Sequence, residues 1–431
     1  MTSLCTFSFL RENFGYSHFV APSQYWEDKL KPHFATLNGN REFVSEAVRL
    51  SGPLLKEANA EFKKDKEIVL LAITEDAIAL EYANHELKKD REFVFEAVKL
   101  NGLALKYVDL SFHSDREIVL AAVKAPSYAK EQGYALEHAA PSLKEDKEIV
   151  LEAVKARGGA LEYAVPSLKA DREVVLAAVK KDGFSLKHAD LTLKKDEEIV
   201  GIAIRVWASP FIYADPTLKK DKKFVLEAIK SDVEVLRYAD SALKSDKEFV
   251  LEAIKAKVDS MKYTDESLKK DREFCLTVVK LQGLALLEFS KEFFIDKEIV
   301  LESLKTSSSV FKHLQPKLQN DPEILMAALQ RNGMLLGYAN MDSRASKEFV
   351  LKAVSTHGFA LQYADFTLKK DREIVLEAIK QDGTALQYAD PILKKDREIV
   401  LEAIKQDGKA LQYADPVLQK DREILEAIGQ K

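Results

Sequence analysis

Ten tyrosines and three histidines return at one place in a repeating phrase, and they are the first residues to weigh as a chemical site. They are Tyr82, Tyr107, Tyr163, Tyr213, Tyr238, Tyr263, Tyr338, Tyr363, Tyr388 and Tyr413, with His138, His188 and His313 in the same place elsewhere. A stacked row of phenols would offer apolar area with polar tips to a partner. The helical spacing equally suits packing between successive units, and recurrence favours that reading. The eight histidines, His18, His33, His85, His113, His138, His188, His313 and His357, show no metal-ligand spacing such as H-E-x-x-H, so neither metal nor cofactor is expected. A phosphate-cradling glycine loop, a G-x-S-x-G elbow and a cysteine with nearby partners are all missing from the sequence, and no catalytic residue is assigned. The "LKKDRE" segments line up a Lys/Arg row beside an Asp/Glu row. Charge ladders between units are the plain reading; a phosphate-tracking stripe of Lys369, Lys370 and their equivalents would be blunted by the interleaved acids, which argues against nucleic acid.

What positions these residues is a 25-residue period. "LKKDREIVLEAIKQDGTALQYADP" from Leu368 is written again from Leu393 with few changes. Counted from its Asp, the phrase falls at Asn40, Asp65, Asp90 and Asp115, then at Asp146, Asp171, Asp196, Asp221, Asp246, Asp271, Asp296, Asp321, Ser346, Asp371, Asp396 and Asp421. Every step is 25 residues except the 31 between Asp115 and Asp146. Asp396 suits a helix N-cap, with Glu398 in the first turn where the helix dipole favours negative charge. Ile399, Val400, Ala403 and Ile404 then form one apolar stripe. Gly408 is expected to close that helix in the left-handed conformation. A second, shorter helix fits "KALQYAD", with Pro416 stopping it and Leu418, like Leu393, pinning the connection to the core. Helices this short are marginal alone and need neighbours. The fold class implied is all-α: a right- or left-curving α-solenoid of about 15–16 two-helix repeats of 25 residues. It occupies 40–431, after an aromatic-rich segment at 1–39 that suits a helical cap or, alternatively, a small partner-binding segment.

Lysine plus arginine number 65 against 70 acidic residues, and 46% of the 431 residues are hydrophobic, which suits an ordered protein without a generally basic surface. Only Cys5 and Cys275 are present, so a reducing compartment such as the cytoplasm is expected. No apolar run reaches 18 residues, so no membrane span is expected, and the first twenty residues do not read as a secretory signal.

The run "DREIVLEAIKQDGTALQYAD", with echoes such as "DREFVFEAVKLNGLALKYVD" at 90–109, resembles a bacterial family of tandem repeats known as domain-of-unknown-function family 4116. The resemblance covers roughly nine-tenths of the chain. Members occur in bacteria living inside amoebae and other eukaryotic cells, Legionella- and Chlamydia-like organisms among them. That implies a host-directed protein translocated into another cell; it carries over no catalytic residue.

The phrase breaks in four places, and these are the candidate binding sites, because loops and departures on a rigid scaffold collect function. Six extra residues lie within 125–132, where Tyr128 stands. Irregular units at about 196–216 and 271–346 bring Trp207 and Phe211, Phe293 and Phe294, then Met334, Met341 and Arg344. Aromatic, Met and Arg side chains are enriched in binding hot spots; drift among old repeats is the competing account. At the far end "DREILEAIGQK" drops a residue, and Ile424, Leu425 and Ile428 are expected to be exposed for end-on self-association. The sequence supports three readings: a non-catalytic protein-binding scaffold with an unnamed protein partner, a structural or self-assembling rod, and an enzyme with a site hidden in 255–346.

Overall fold

The computed structural model describes Leu10, residues 22–126 and residues 134–429. Among them every regular element is helical, and they fall into two compact units, Met1–Asp240 and Ser241–Lys431. Both are stacks of one repeated motif, an all-α solenoid construction.

The motif is clearest in Ser241–Lys431. A ten-residue α-helix, Arg372–Gln381, starts where Asp371 accepts hydrogen bonds from the backbone N–H groups of Glu373 (3.0 Å) and Ile374 (3.4 Å). Its buried stripe is Ile374, Val375, Ala378 and Ile379, as the periodicity predicts. Asp382 then caps a second element by accepting from the Thr384 N–H (2.9 Å), and Gly383–Tyr388 is a 3₁₀ helix, not an α-helix. Asp390 caps a third by accepting from the Ile392 N–H (2.9 Å) ahead of a single 3₁₀ turn, Leu393–Lys395. A repeat therefore carries three helical segments behind three capping carboxylates, the connecting loop being the third. The prolines open that third segment: Pro141, Pro166 and Pro216 stand at its first positions in Met1–Asp240, where a missing N–H costs nothing. Leu393, Leu268 and Leu218 of this segment are buried, as expected, whereas Leu418 and Leu368 are half-buried.

The glycine after the long helix has a different purpose from the one its position suggests. No described glycine from Gly39 to Gly383 has a left-handed backbone, and the residue preceding the repeat glycine, such as Asp382 at φ −154°, is extended. A Cβ on Gly383 would instead lie 2.3 Å from the carbonyl oxygen of Ala403 in the following repeat; Gly358 meets Ala378 at 2.4 Å and Gly102 meets Ala122 at 2.2 Å in the same way. The carbonyl that ends one long helix presses onto the backbone of the preceding repeat, so only hydrogen fits.

Main-chain bonds fasten most repeats to the next within each unit. The Asp390 N–H donates to the Lys369 carbonyl (3.0 Å) and the Asp190 N–H to the Lys169 carbonyl (2.9 Å). Ahead of the first long helix, Arg41–Leu50, the helix Ser23–Leu30 and the turn Phe34–Leu37 bury Trp26, Leu30 and Phe34, with the Phe34 and Phe43 rings 4.9 Å apart. The Leu10 N–H donates to the buried carboxylate of Glu46 (2.8 Å).

Candidate functional site

The tyrosine row packs between repeats. Nine of its ten members are half-buried, Tyr338 being the exposed one. Phe359 meets Tyr388 edge-on at 5.8 Å, and the Lys56 ammonium lies over the Tyr82 ring at 5.8 Å, in each case across consecutive repeats. Burial raises the phenol pKa of Tyr82 and Tyr163 and lowers the imidazole pKa of His138 and His188. Cys275 is buried, and desolvation pushes its thiol up to about 12, which keeps it protonated at neutral pH. Among the described residues, no cluster of three or more His, Cys, Asp or Glu could hold a metal ion, and no helix is long and apolar enough to cross a membrane.

The charged rows are occupied by the fold itself. In most repeats the cation after the capping Asp reaches the next repeat's capping Asp and the Glu two residues beyond; Glu197 and Pro322 stand in that place in two others. Lys347 holds Asp371 at 2.8 Å and Glu373 at 2.7 Å; Arg272 holds Asp296 at 2.7 Å and Glu298 at 2.6 Å. These hydrogen bonds keep Asp296 and Asp371 below the usual carboxylate range, against the opposing effect of burial. Lys369, one of the lysines considered for phosphate, donates to the Gln362 carbonyl (2.8 Å) at the end of its own 3₁₀ helix, and Lys394 does the same to Gln387 (2.6 Å). Lys370 stands 3.9 Å from Asp390.

Register decides the fate of the conspicuous residues at the breaks. Phe211 is fully buried and stacks on Phe224 at 5.9 Å, because it occupies the core place held by Leu361 and Leu386 in the regular repeats. Phe293 is buried too, in the place of Leu393. Neither is presented to a partner. Arg344 stands in the lysine place and donates to the Gly337 carbonyl; it is half-buried and serves its own chain. Ile424 is buried in the stripe, which removes it from an end-on contact; Leu425 is exposed, as expected. Phe294 and Met334 are half-buried, while Met341 is exposed. Tyr128 and the Ile428 side chain lie outside the described residues. Trp207 is 66% exposed, with Val206 and Ile212 exposed beside it in sequence.

The repeat around Trp207 departs most. Its long helix stops at Ala203 after seven residues, with Ile204 at φ −92°, ψ 0° and its N–H shared by the Ile202 and Val200 carbonyls. Glycine at 201 and β-branched Ile202 and Val206 weaken the helix where the regular phrase "LEAIKQ" has Leu, Glu and Gln. Gly201 replaces the half-buried leucine of the outer face, such as Leu376 or Leu401, and a Cβ there would meet nothing within 4 Å. Ile202 replaces the Glu that elsewhere engages a lysine three residues on, as Glu152 engages Lys155 at 2.9 Å. Between this helix and the next, Lys222–Ser231, runs a groove lined by Gly201, Ile202, Arg205, Lys223, Phe224 and Ala228. The phrase also inverts here: Glu197 stands in the cation place and Lys223 in the acid place. These substitutions are readable in the sequence when the repeats are aligned place by place, although the large aromatic residues are more conspicuous.

A family model described as a domain of unknown function (DUF4116) matches ten successive segments: residues 40–88, 90–130, 127–169, 171–219, 208–244, 221–269, 246–294, 296–342, 346–394 and 396–430. A search of curated proteins found no match.

Proposed function

We propose, from the premise that the chain belongs to the DUF4116 family of tandem repeats, that it is a non-catalytic scaffold that holds another protein. The observation that carries this reading is Trp207, two-thirds exposed at a place where the regular repeats put a capping Asp such as Asp382 or Asp407. Tryptophan is among the residues most enriched in binding hot spots, and leaving it in water serves no folding purpose. The regular repeats support the reading from the other side, since their charged side chains are engaged in caps and ladders and offer little to a ligand. A host-directed role, implied by the family alone, adds to it. A reporter fused to the chain that reaches the host cytosol supports that addition, and one retained in the bacterium removes it.

Affinity capture with the wild-type chain, Trp207→Ala and a control substitution at exposed Lys409 tests the scaffold. A saturable protein partner kept by the control and lost with Trp207→Ala is expected. The absence of any partner above background sinks the reading.

A further inference from the structure

From Leu70 to Leu401 the outer face of the long helices carries a half-buried bulky apolar side chain in every repeat but one, Leu151, Leu176 and Leu226 among them. At Gly201 that side chain is missing and its space is open. The floor is apolar: Ile202 and Phe224 are half-buried, and so is Ala228, although the corresponding Ala378 and Ala403 are fully buried in regular repeats. What borders the opening is charge without internal partners. Arg205 has no Glu to meet, because Ile202 stands in that place, and neither Arg205 nor Lys223 lies within ion-pair distance of any described carboxylate. Of the three carboxylates along the groove, Glu198 is held by Arg172 and Glu227 by Lys230, leaving Glu197 alone at one end.

We propose that the groove between Glu197–Ala203 and Lys222–Ser231 binds an acidic amphipathic helix, which seats one leucine-sized side chain over Gly201 and brings carboxylates to Arg205 and Lys223. The shape argument is ridge-into-groove packing with the ridge supplied from outside. The charge argument is that the two unengaged cations flank an apolar floor, so a partner carrying acid beside its anchor gains charge-assisted bonds, and a basic one meets repulsion. This deepens the scaffold reading and rests on it, naming the class of partner.

The test uses the full chain and two stapled helical peptides with a single leucine stripe, flanked by Glu in one and by Lys in the other, followed by fluorescence anisotropy. The Glu peptide is expected to bind saturably and the Lys peptide to bind more than about tenfold more weakly. Gly201→Leu, which fills the opening, should weaken the Glu peptide by more than about tenfold, the scale of a hot-spot contact. Arg205→Glu with Lys223→Glu should invert the preference. The proposal is overturned if the Glu peptide fails to bind, binds Gly201→Leu as well as wild type, or is not preferred over the Lys peptide. It is equally overturned if the chain self-associates and Gly201→Leu makes it monomeric, since the occupant is then a second copy. A groove failure with Trp207-dependent capture intact removes this inference alone; loss of all saturable capture removes the scaffold with it.

Discussion

Gly383 and Gly201 both omit a side chain from a helical repeat, and what faces the missing atom differs completely. At Gly383 the Ala403 carbonyl would stand 2.3 Å from a Cβ; at Gly201 nothing lies within 4 Å. The first glycine lets one repeat close on another, and the second leaves an opening on the outer surface. Regular repeats thus complete themselves, whereas the repeat at 196–220 and the helix that follows it leave apolar surface, two cations and a tryptophan unsatisfied. Several measurements can break that contrast.

Acid should produce the largest effect. Asp146, Asp171, Asp271, Asp296 and Asp371 are held below the ordinary carboxylate value, chiefly by hydrogen bonds from the preceding repeat's cation. A carboxylate depressed in the folded state adds stability that is complete above its unfolded value, near about 3.9, and disappears as pH falls through the lower folded value. The urea midpoint should therefore be flat from about pH 7 to about 5 and fall below about 4. Hydrogen exchange resolved by segment sharpens the contrast. The helix Lys347–Thr356 begins at Ser346, which makes no side-chain cap bond, so its first turn should respond least to acid.

Next in size is Gly383→Val, which forces the Ala403 carbonyl away and should cost about 1–3 kcal/mol, the usual range for overpacking. Gly201→Leu should cost nothing and gain up to about 1 kcal/mol from helix propensity. Urea denaturation of the two variants checks both; equal losses would mean that the two glycines are not different in kind.

The period, the capping Asp, the buried stripe and the all-α class were legible in the sequence because each depends on neighbours within one repeat. The glycine's purpose was not, since it depends on a carbonyl in the next repeat, at Ala403 for Gly383. Local rules therefore offered a left-handed cap that the backbone does not use. The third helical segment was hidden for a related reason: Pro391 and Asp390 look like a stop signal, while Asp390 in fact caps the 3₁₀ turn after it. At the candidate sites, chemical type misled where register would have served. Phe211 and Phe293 are aromatic but stand in core leucine places, whereas Gly201, Glu197 and Lys223 are small departures on the outer face.

Removing a cap separates regular from irregular repeats on a smaller scale. Asp396→Ala deletes the acceptor for the Glu398 and Ile399 N–H groups (3.0 and 3.2 Å) and should cost about 1 kcal/mol. Ser346→Asp should recover a similar amount at the one described repeat where a serine cap makes no such bond. Thermal unfolding monitored by circular dichroism reads both, and a Ser346→Asp variant no more stable than wild type would show that the capping geometry, not the residue, is at fault there.

The smallest effect tests whether the inverted charges at 197 and 223 are an unfinished ladder or a functional interruption. In a regular pair of repeats the cation at the first helical place reaches both the capping Asp and the Glu of the next, as Lys147 reaches Asp171 at 2.8 Å and Glu173 at 2.9 Å. Glu197→Arg together with Lys223→Glu rewrites that pattern toward Asp221. Pairs this exposed are worth between 0 and about 1 kcal/mol, so the double variant should be marginally more stable than wild type, and each single change neutral or slightly worse. A double-mutant cycle with coupling above about 1 kcal/mol would mean that the place is more buried than its neighbours. If stability rises as expected while the acidic peptide binds more weakly, the inversion keeps Lys223 available to a ligand at the expense of the ladder. If affinity is unchanged, Lys223 has no part in recognition, and Arg205 must account for the charge preference.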